Sequence, residues 1–296
     1  MKIGYPCINL SLSCRSSRTF RLATYSHERM AETVESNLAC LEKILHFNAR
    51  HRLLFFRISS DLVPFASHPV CSFPWQKIFR SAFKRIGELI HKYGMRVSMH
   101  PDQFILINSP QAQIFHRSVK ELWYHSEVLD LLETDTTAKI QMHVGGVYGN
   151  KGESIRRFIE RYEHLPKKIK RRLVIENDER LYSTHDCLEI SRAIKIPVVF
   201  DFFHYTCKNN SELVRQALFE VHSTWSEKDG LPIVDYSSQA RKKKVGAHVV
   251  SIDIRNFRQF LCEAEGFDFD IMCEVKDKER SAMKARAILK EMNRID

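Results

Sequence analysis

Short apolar runs alternate with longer amphipathic stretches along the whole chain, and this alternation constrains the fold more than any other feature of the sequence. The apolar runs are rich in Val, Ile and Phe, and most are apolar at successive positions, as in parallel strands that are buried on both faces. We therefore predict eight strands, at Lys2–Ile8, Leu53–Ser60, Met95–Pro101, Ala138–Gly146, Leu173–Asp178, Ile196–His204, Pro232–Ser237 and Asp268–Val275.

Each predicted strand is followed by a stretch with helical periodicity. Local signals support some of the boundaries, since Pro110 suits the first turn of a helix and Tyr93-Gly94 suits a helix end. The predicted helices are His27–Arg50, Pro74–Tyr93, Pro110–Glu133, Glu153–Lys170, Thr184–Lys195, Ser211–Trp225, Asn256–Glu265 and Lys278–Arg294.

Eight strand–helix pairs share the 296 residues, and no Pro-rich or Ser-rich linker divides them. This pattern predicts the α/β class, with one (β/α)8 TIM barrel that spans residues 1–296 as a single domain. A doubly wound open sheet is the main alternative. The first strand lacks the GxGxxG turn of dinucleotide-binding sheets, which weakens one version of that alternative.

The charge of the chain favours a polyanionic partner. Lys and Arg total 46 against 36 Asp and Glu, which gives a formal net charge of +10. Because neutralisation of phosphates supplies affinity that does not depend on sequence, nucleic acid is the first candidate. A basic protein without such a partner would have the same charge balance, and this alternative stays open.

The spacing of the cysteines and the absence of long apolar runs predict where the protein is found in the cell. The eight cysteines form no CxxC motif, and we expect reduced thiols rather than disulfides or a zinc ribbon. The first residues, MKIGYPCINL, lack the features of a signal peptide, and no stretch approaches the ~18 consecutive apolar residues of a membrane helix. We therefore expect a cytoplasmic protein that is not secreted and has no membrane partner.

Residues with metal-binding side chains recur near the carboxyl ends of six consecutive predicted strands. In a barrel these ends meet on one face, and isolated charges there are costly to desolvate without partners. Each residue taken singly has an alternative explanation in a turn, a cap or an ion pair, but the repetition favours a divalent metal site. The candidates are His100, His143, Glu176, Asp201, His204, Asp235 and Glu274.

The number of candidates predicts more than one ion. One ion needs three or four protein ligands, so this set implies a cluster of two or three. Ions about 3.5–4 Å apart suit in-line displacement at a phosphodiester, and Glu176 and Glu274 are candidates to bridge them. His248 and His68 are further candidates, although a lone loop histidine is more often only solvated.

A series of motifs runs through the chain in order. They are GYPCINL at 4–10, FRISS at 56–60, ASHP at 66–69, HPDQF at 100–104, HVGGVYGNK at 143–151, IENDE at 175–179, FDFFH at 200–204, YSSQ at 236–239 and EVK at 274–276. With these motifs the chain resembles the ultraviolet-damage endonucleases over nearly its whole length.

The resemblance implies a (β/α)8 barrel distantly like endonuclease IV, with up to three divalent ions, usually manganese. It implies nicking of ultraviolet-damaged double-stranded DNA immediately 5′ of cyclobutane pyrimidine dimers and (6-4) photoproducts, which leaves a 3′-hydroxyl and a 5′-phosphate. The metal ligands it implies are His100, His143, Glu176, Asp201, His204, His248 and Glu274. His68 matches a further active-site histidine, and the expected catalytic group is Glu176, Glu274, His143 and His68.

The seventh predicted strand departs from the pattern of the family. Many relatives read Lys-x-His-x-Ser there, and their lysine can be carboxylated beside the metals. This chain reads Ile233-Val234-Asp235-Tyr236-Ser237, so the lysine is absent at Ile233 and Asp235 stands where the histidine ligand would be. An aspartate can still bind Mn²⁺, and we therefore expect Asp235 to be a metal ligand.

The resemblance also implies residues that recognise the lesion. A photodimer weakens pairing and stacking, so opening the duplex there costs less than in normal DNA. Gln103 is expected to replace lost base-pair hydrogen bonds, and Phe104 to wedge into the stack, although core packing is the alternative for Phe104. Tyr5 and Asn9 match family residues near the displaced lesion. In the run Arg241–Lys244, Lys242 and Lys243 are expected to contact phosphates, unless this run is only a solvated loop.

Three other functions remain open at this stage. An abasic-site endonuclease of the endonuclease IV type and a metal-dependent sugar isomerase both use Glu, Asp and His ligands on barrels. A DNA-binding protein without catalysis, whose histidines are structural, is the third. For an enzyme on DNA we expect a monomer.

Overall fold

A computed structural model of the chain describes residues 1–208 and 213–295. These residues contain eight parallel strands that close a barrel in chain order, with the last strand paired to the first. This confirms the predicted (β/α)8 barrel and excludes the open sheet. The strands are β1 (Ile3–Pro6), β2 (Phe55–Ile58), β3 (Arg96–Met99), β4 (Lys139–His143), β5 (Leu173–Glu176), β6 (Val198–Asp201), β7 (Ile233–Tyr236) and β8 (Asp270–Cys273).

Helices pack around the barrel and bury their apolar faces against it. Each predicted helical stretch overlaps at least one of them, and α8 was not predicted. They are α1 (His27–Arg50), α2 (Trp75–Ile78), α3 (Arg80–Lys92), α4 (Ala112–Leu131), α5 (Lys151–Glu163), α6 (Lys167–Lys170), α7 (Thr184–Ile194), α8 (Phe202–Lys208), α9 (Val214–His222), α10 (Ile254–Glu263) and α11 (Glu279–Glu291). No helix in the described part of the chain is both long and apolar enough to cross a membrane.

Several predicted helix boundaries need correction. The stretch predicted as one helix at Pro74–Tyr93 is α2 followed by α3, and Glu153–Lys170 is also divided, because Pro166 lies between α5 and α6. The predicted start of the sixth helix, Ser211, lies outside the described residues. The sixth strand was predicted too long, since the chain passes directly from β6 into α8 after Asp201.

The interior of the barrel has an apolar layer in its middle. One side chain from each of five strands forms a cluster that is separate from the main core: Phe55, Val174, Val199, Ile233 and Met272. In each of these strands the residue two positions later points to the same side, one level nearer the carboxyl end. Those positions hold Arg57, Glu176, Asp201, Asp235 and Glu274. The strand alternation therefore carries polar side chains to the carboxyl-terminal mouth.

Ion pairs close the amino-terminal end of the barrel. Arg96 Nη1 lies 2.9 Å from Asp270 Oδ2, and Lys139 Nζ donates to Asp229 Oδ1 at 2.6 Å. Burial lowers the pKa of Lys139 to about 8, although Asp229 opposes this shift. All four residues are buried, so charges at this end are compensated within the protein.

The expectation that every cysteine is a reduced thiol is wrong. Cys14, in the loop after β1, forms a disulfide with Cys40 on α1, and their Cα atoms are 5.8 Å apart. The pairing arises because this loop lies against α1, which no local sequence motif encodes. The free cysteines are Cys7, Cys71, Cys187, Cys207, Cys262 and Cys273.

Candidate metal centre

The carboxyl-terminal mouth of the barrel holds most of the predicted metal ligands. A cavity of about 730 Å³ opens there, between the loops that follow β1, β3, β5, β7 and β8. Its lining includes six of the eight predicted ligands: His100, His143, Glu176, His204, His248 and Glu274. Asp201 and Asp235 lie beneath it and are buried. The structure therefore brings these eight residues together at one end of the barrel.

Glu176 is the centre of the cluster. Its Oε1 lies 2.6 Å from His100 Nε2 and 3.2 Å from His143 Nε2. Side-chain atoms of these three residues all lie within 4.8 Å of one another, as the ligands of one ion require. The two imidazoles lower the pKa of Glu176 well below its usual value, although burial alone would raise it. Glu176 is therefore a carboxylate at neutral pH.

Backbone carbonyls orient three of the histidines. Nδ1 of His100 donates to the carbonyl of Pro101 at 2.7 Å, and Nδ1 of His248 donates to the carbonyl of Glu274 at 2.6 Å. Nδ1 of His204 faces the carbonyl of Asn177 at 3.3 Å. With Nδ1 turned to a backbone carbonyl, Nε2 is the nitrogen that would face a metal ion, as in histidines that ligate metals.

The surroundings raise the pKa of some acidic residues of the cluster and lower the pKa of others. Burial, together with the charges of Glu274 and Glu176, raises the pKa of Asp201. Asp201 Oδ2 lies 3.1 Å from His204 Nδ1, and it raises the pKa of His204 to about 9 although burial lowers it. Glu274 differs, because Arg57 outweighs the effect of burial and lowers its pKa to about 2.

Asp235 has a different neighbourhood from the other predicted ligands. It ends below the cavity and is completely buried. Arg57 Nη2 lies 2.8 Å from its Oδ2 and 3.0 Å from its Oδ1. Gln141 Nε2 donates to Oδ2 at 2.5 Å. Ile233, where the resemblance implied a lysine, belongs to the apolar layer beneath.

The residues present fit divalent ions. His143 Nδ1 is buried and has no hydrogen-bond partner among the described residues, although native proteins pair nearly all such atoms. The donor set mixes imidazole nitrogens with carboxylate oxygens, which suits Mn²⁺ and related ions. Three carbonyl-oriented imidazoles and the ionised Glu176 and Glu274 supply enough ligands for more than one ion.

Two exposed side chains rise beside the cavity on the loop after β3. Gln103 and Phe104 both line it, and Phe104 is 74% exposed. Core packing of Phe104, the alternative considered from the sequence, is therefore excluded. The exposed ring and amide are free to contact a partner that approaches the mouth.

Tyr5 and Asn9 do not have the accessibility that lesion contact requires. The Tyr5 ring points outward from β1 into the core, where its hydroxyl donates to Asn48 Oδ1 at 2.6 Å. Asn9 Nδ2 donates to the Tyr5 hydroxyl at 2.8 Å, and Asn9 Oδ1 accepts from the backbone of Ser11. The expectation of direct lesion contact is corrected, because alternation along β1 turns Tyr5 away from the mouth.

A basic hairpin, residues 239–248, follows β7 on the other side of the mouth. One isolated antiparallel bridge joins Gln239 and His248 at its base, and Lys242 and Lys243 are exposed at its turn. The Gln239 side chain donates to the carbonyls of Ala240 and Lys244, both at 3.0 Å, and so folds the turn on itself. The lysines therefore point away from the loop interior.

His68 is not part of the cluster. It is exposed in the loop after β2, where its Nδ1 accepts from the backbone of Val70 at 3.1 Å. It does not line the cavity at the mouth. The structure therefore gives no support to the catalytic role expected for His68.

Comparison with known proteins identifies the family. The sequence model described as "UV-endonuclease UvdE" matches residues 1–296. The chain belongs to the UvdE family. A UV DNA damage endonuclease of Clostridium perfringens (strain 13 / Type A) is 41% identical to this UvdE-family chain over 296 residues, covering 99% of the chain and 72% of that protein. One of Bacillus cereus (strain ATCC 10987 / NRS 248) is 33% identical over 294 residues, covering 96% and 93%.

Solved structures share the fold of this UvdE-family chain. The structure described as "Crystal Structure of SacUVDE" superposes with a TM-score of 0.96 at 43% identity, with 100% of both chains covered. A D-psicose 3-epimerase from Clostridium cellulolyticum H10 has a TM-score of 0.59 at 13% identity, covering 84% of this chain and 92% of its own. Identity this low shows a shared barrel and nothing of the chemistry.

Two polar residues at the centre of this UvdE-family site were missed from the sequence. Arg57 on β2 and Gln141 on β4 face the barrel interior and contact Glu274 and Glu176, respectively. The available signal was a polar side chain within an apolar run that was predicted to be buried on both faces. Glu179 was also missed, although its Oε2 lies 3.8 Å from His204 Nε2.

Proposed function

We propose that this UvdE-family endonuclease cleaves ultraviolet-damaged double-stranded DNA immediately 5′ of cyclobutane pyrimidine dimers and (6-4) photoproducts. The products are a 3′-hydroxyl and a 5′-phosphate. Membership of the UvdE family supports the substrate. The observation that supports a hydrolytic site most directly is Glu176 between the Nε2 atoms of His100 and His143, at 2.6 and 3.2 Å, in the mouth of the barrel.

The proposed cofactor is a cluster of two or three divalent ions, with Mn²⁺ as the first candidate. The residues proposed to hold it are His100, His143, Glu176, Asp201, His204, His248 and Glu274. When bound, ions of this kind activate a water molecule as nucleophile and stabilise the leaving oxygen. The mixed nitrogen and oxygen donors and the carbonyl-oriented imidazoles support this assignment.

The chain's own residues set the charge at the reacting phosphate. Glu176 and Glu274 are carboxylates at neutral pH, because neighbouring cationic groups lower their pKa values despite burial. We assign these two residues and His143 to the catalytic group. His68 is left out because it is exposed away from the cavity.

Lesion recognition is assigned to the exposed loop after β3. A photodimer lowers the cost of unstacking, so a side chain that probes the stack enters damaged DNA more readily than normal DNA. Phe104 is exposed at the mouth and has the shape of a wedge, and Gln103 beside it offers both a donor and an acceptor to unpaired bases. Lys242 and Lys243 are assigned to the phosphate backbone on the opposite side.

A plasmid assay tests the proposal. Irradiated supercoiled plasmid is incubated with the protein and Mn²⁺, with and without a chelator, and nicking is followed on a gel. We expect nicking that requires irradiation and is abolished by the chelator. Glu176→Gln is expected to abolish nicking while damage binding persists, whereas Glu189→Gln, the same change on the exposed side of α7, leaves nicking intact. Intact plasmid with well-folded wild-type protein would refute the proposal.

Oligonucleotides with one defined lesion resolve the remaining detail. Cleavage of a dimer-containing duplex at the 5′ side, with much weaker cleavage of an abasic duplex, is the expected result. The reverse preference would identify an abasic-site endonuclease instead. We further propose that the protein acts as a monomer, which light scattering after size-exclusion chromatography checks.

A further inference from the structure

A buried guanidinium lies directly beneath the proposed metal ligands. Arg57, on β2, is only 3% exposed, and its side chain contacts three acidic or amide residues on β4, on β7 and directly after β8. Nη1 forms an ion pair with Glu274, and Nη2 contacts both Asp235 and Gln141, the latter at 2.9 Å from Oε1. A fixed positive charge therefore occupies the floor of the mouth before any ion binds.

Both oxygens of Asp235 already accept hydrogen bonds from buried side chains in this arrangement. Oδ1 faces Arg57 Nη2 at 3.0 Å, and Oδ2 accepts from Arg57 Nη2 at 2.8 Å and from Gln141 Nε2 at 2.5 Å. The side chain is fully buried, whereas Glu274 and His143 reach the cavity. A carboxylate bound in this way is already compensated by a cation.

The same residues connect Asp235 to the ligands above it. Gln141 uses Nε2 to contact both Asp235 and Glu176, and Arg57 contacts both Asp235 and Glu274. Asp235 thus holds the two side chains that in turn hold the two central carboxylates. Residues in this position orient metal ligands and tune their charge without touching the ion.

We propose that Asp235 is a positioning residue and not a metal ligand: it anchors Arg57 and Gln141, and these orient Glu274 and Glu176 toward the ions. The proposal rests on the metal-dependent function proposed above. It replaces the sequence-based expectation that Asp235 takes the place of the family's histidine ligand.

The competing arrangement is an ion among three carboxylates. Oxygens of Glu176, Asp201 and Asp235 lie within 4.8 Å of one another, so a cation at that point would draw Asp235 away from Arg57. The two arrangements differ in a measurable way. Substitution of a ligand lowers the number of bound ions. Substitution of a positioning residue leaves that number unchanged and weakens binding only through Arg57 and Gln141.

The test measures Mn²⁺ binding to the full chain without DNA. Metal-free wild-type protein, Asp235→Asn and Glu176→Gln are titrated with Mn²⁺, and bound ions are counted by elemental analysis and by the loss of the free Mn²⁺ resonance signal. We expect Asp235→Asn to bind as many ions as wild type, with affinity reduced about tenfold, in the range for residues that orient ligands. Glu176→Gln is expected to lose at least one ion. Loss of one ion in Asp235→Asn would overturn the proposal.

A double-mutant cycle adds a second measurement. If Asp235 acts through Arg57, then Asp235→Asn has little further effect on Mn²⁺ affinity in an Arg57→Lys background. A ligand would show its full effect in both backgrounds, and that result would also refute the proposal. If the wild-type chain binds no Mn²⁺, the metal-dependent function fails by itself. In that case the free energy of unfolding is measured for the same variants. Strong coupling between the Asp235 and Arg57 substitutions supports the anchoring role, and additive effects refute it.

Discussion

Substitution of Phe104 is expected to impair recognition of damaged DNA without lowering the stability of the protein. Its ring is 74% exposed at the mouth, so Phe104→Ala removes few contacts within the protein. Exposed substitutions of this kind change the free energy of unfolding by no more than ~0.5 kcal/mol. Thermal and urea unfolding of the variant are therefore expected to match wild type. A large loss of stability would show that the ring packs in the protein after all.

The expected loss lies in the discrimination between damaged and undamaged DNA. A base stacked on an aromatic ring contributes about 1–3 kcal/mol, by alanine substitution. A wedge that enters only the weakened stack contributes this energy to the damaged duplex alone. At about 1.4 kcal/mol per tenfold change, the ratio of the two dissociation constants is expected to fall roughly 5-fold to 150-fold.

The assay is a competition of fluorescent duplexes in the presence of a chelator, which prevents cleavage. One duplex carries a single cyclobutane dimer and the other the same sequence without damage. Phe219→Ala is the matched control, since Phe219 is 68% exposed on α9 and does not line the mouth. The reasoning is refuted if Phe104→Ala keeps the wild-type ratio within twofold, or if Phe219→Ala lowers it equally.

Three further predictions concern other parts of the chain. The double variant Lys242→Ala, Lys243→Ala is expected to reduce the slope of log K against log salt for duplex binding by about 1–2. Lys84→Ala on α3 is the control and should leave the slope unchanged. A double variant with the wild-type slope would show that the hairpin is only a solvated loop. Lys139 has a pKa of about 8 in the fold against 10.5 in the unfolded chain, so the unfolded chain binds more protons between these values. The stability of wild type relative to Lys139→Met should therefore rise from pH 8 to 10.5 in urea melts, and a flat difference would contradict the burial of this charge. Cys40→Ser removes a cross-link between positions 26 residues apart and should lower the free energy of unfolding by about 3.5 kcal/mol. Reduction by dithiothreitol should lower the stability of wild type by a similar amount and leave the stability of the variant unchanged.

The barrel was predictable because hydrophobic periodicity is a local property of the sequence. Buried parallel strands are apolar on both faces, and the chain repeats this pattern eight times with a helical stretch after each strand. Boundaries set by tertiary packing were less predictable. Nothing local marks the point where β6 becomes α8, and the disulfide between Cys14 and Cys40 depends on where a loop lies in space.

The site was predictable where a residue ends a strand and less so where a residue lies within one. Glu176 and His143 were found because their strands deliver them to a common mouth. Arg57 was overlooked because its partners come from β4, β7 and β8, which are distant in sequence. Tyr5 was assigned the wrong environment, since its position on the outward face of β1 follows from the strand's register and not from its motif.

The five-residue apolar layer inside the barrel also separates two electrostatic systems. Below it, Arg96 and Lys139 are neutralised by Asp270 and Asp229, while the histidines and carboxylates of the mouth lie above it. The five side chains of this layer are apolar, so no hydrogen bond passes through them from one system to the other. We therefore expect that apolar packing in place of the amino-terminal ion pairs is neutral or stabilising and leaves the contacts of Glu176 at the mouth unchanged.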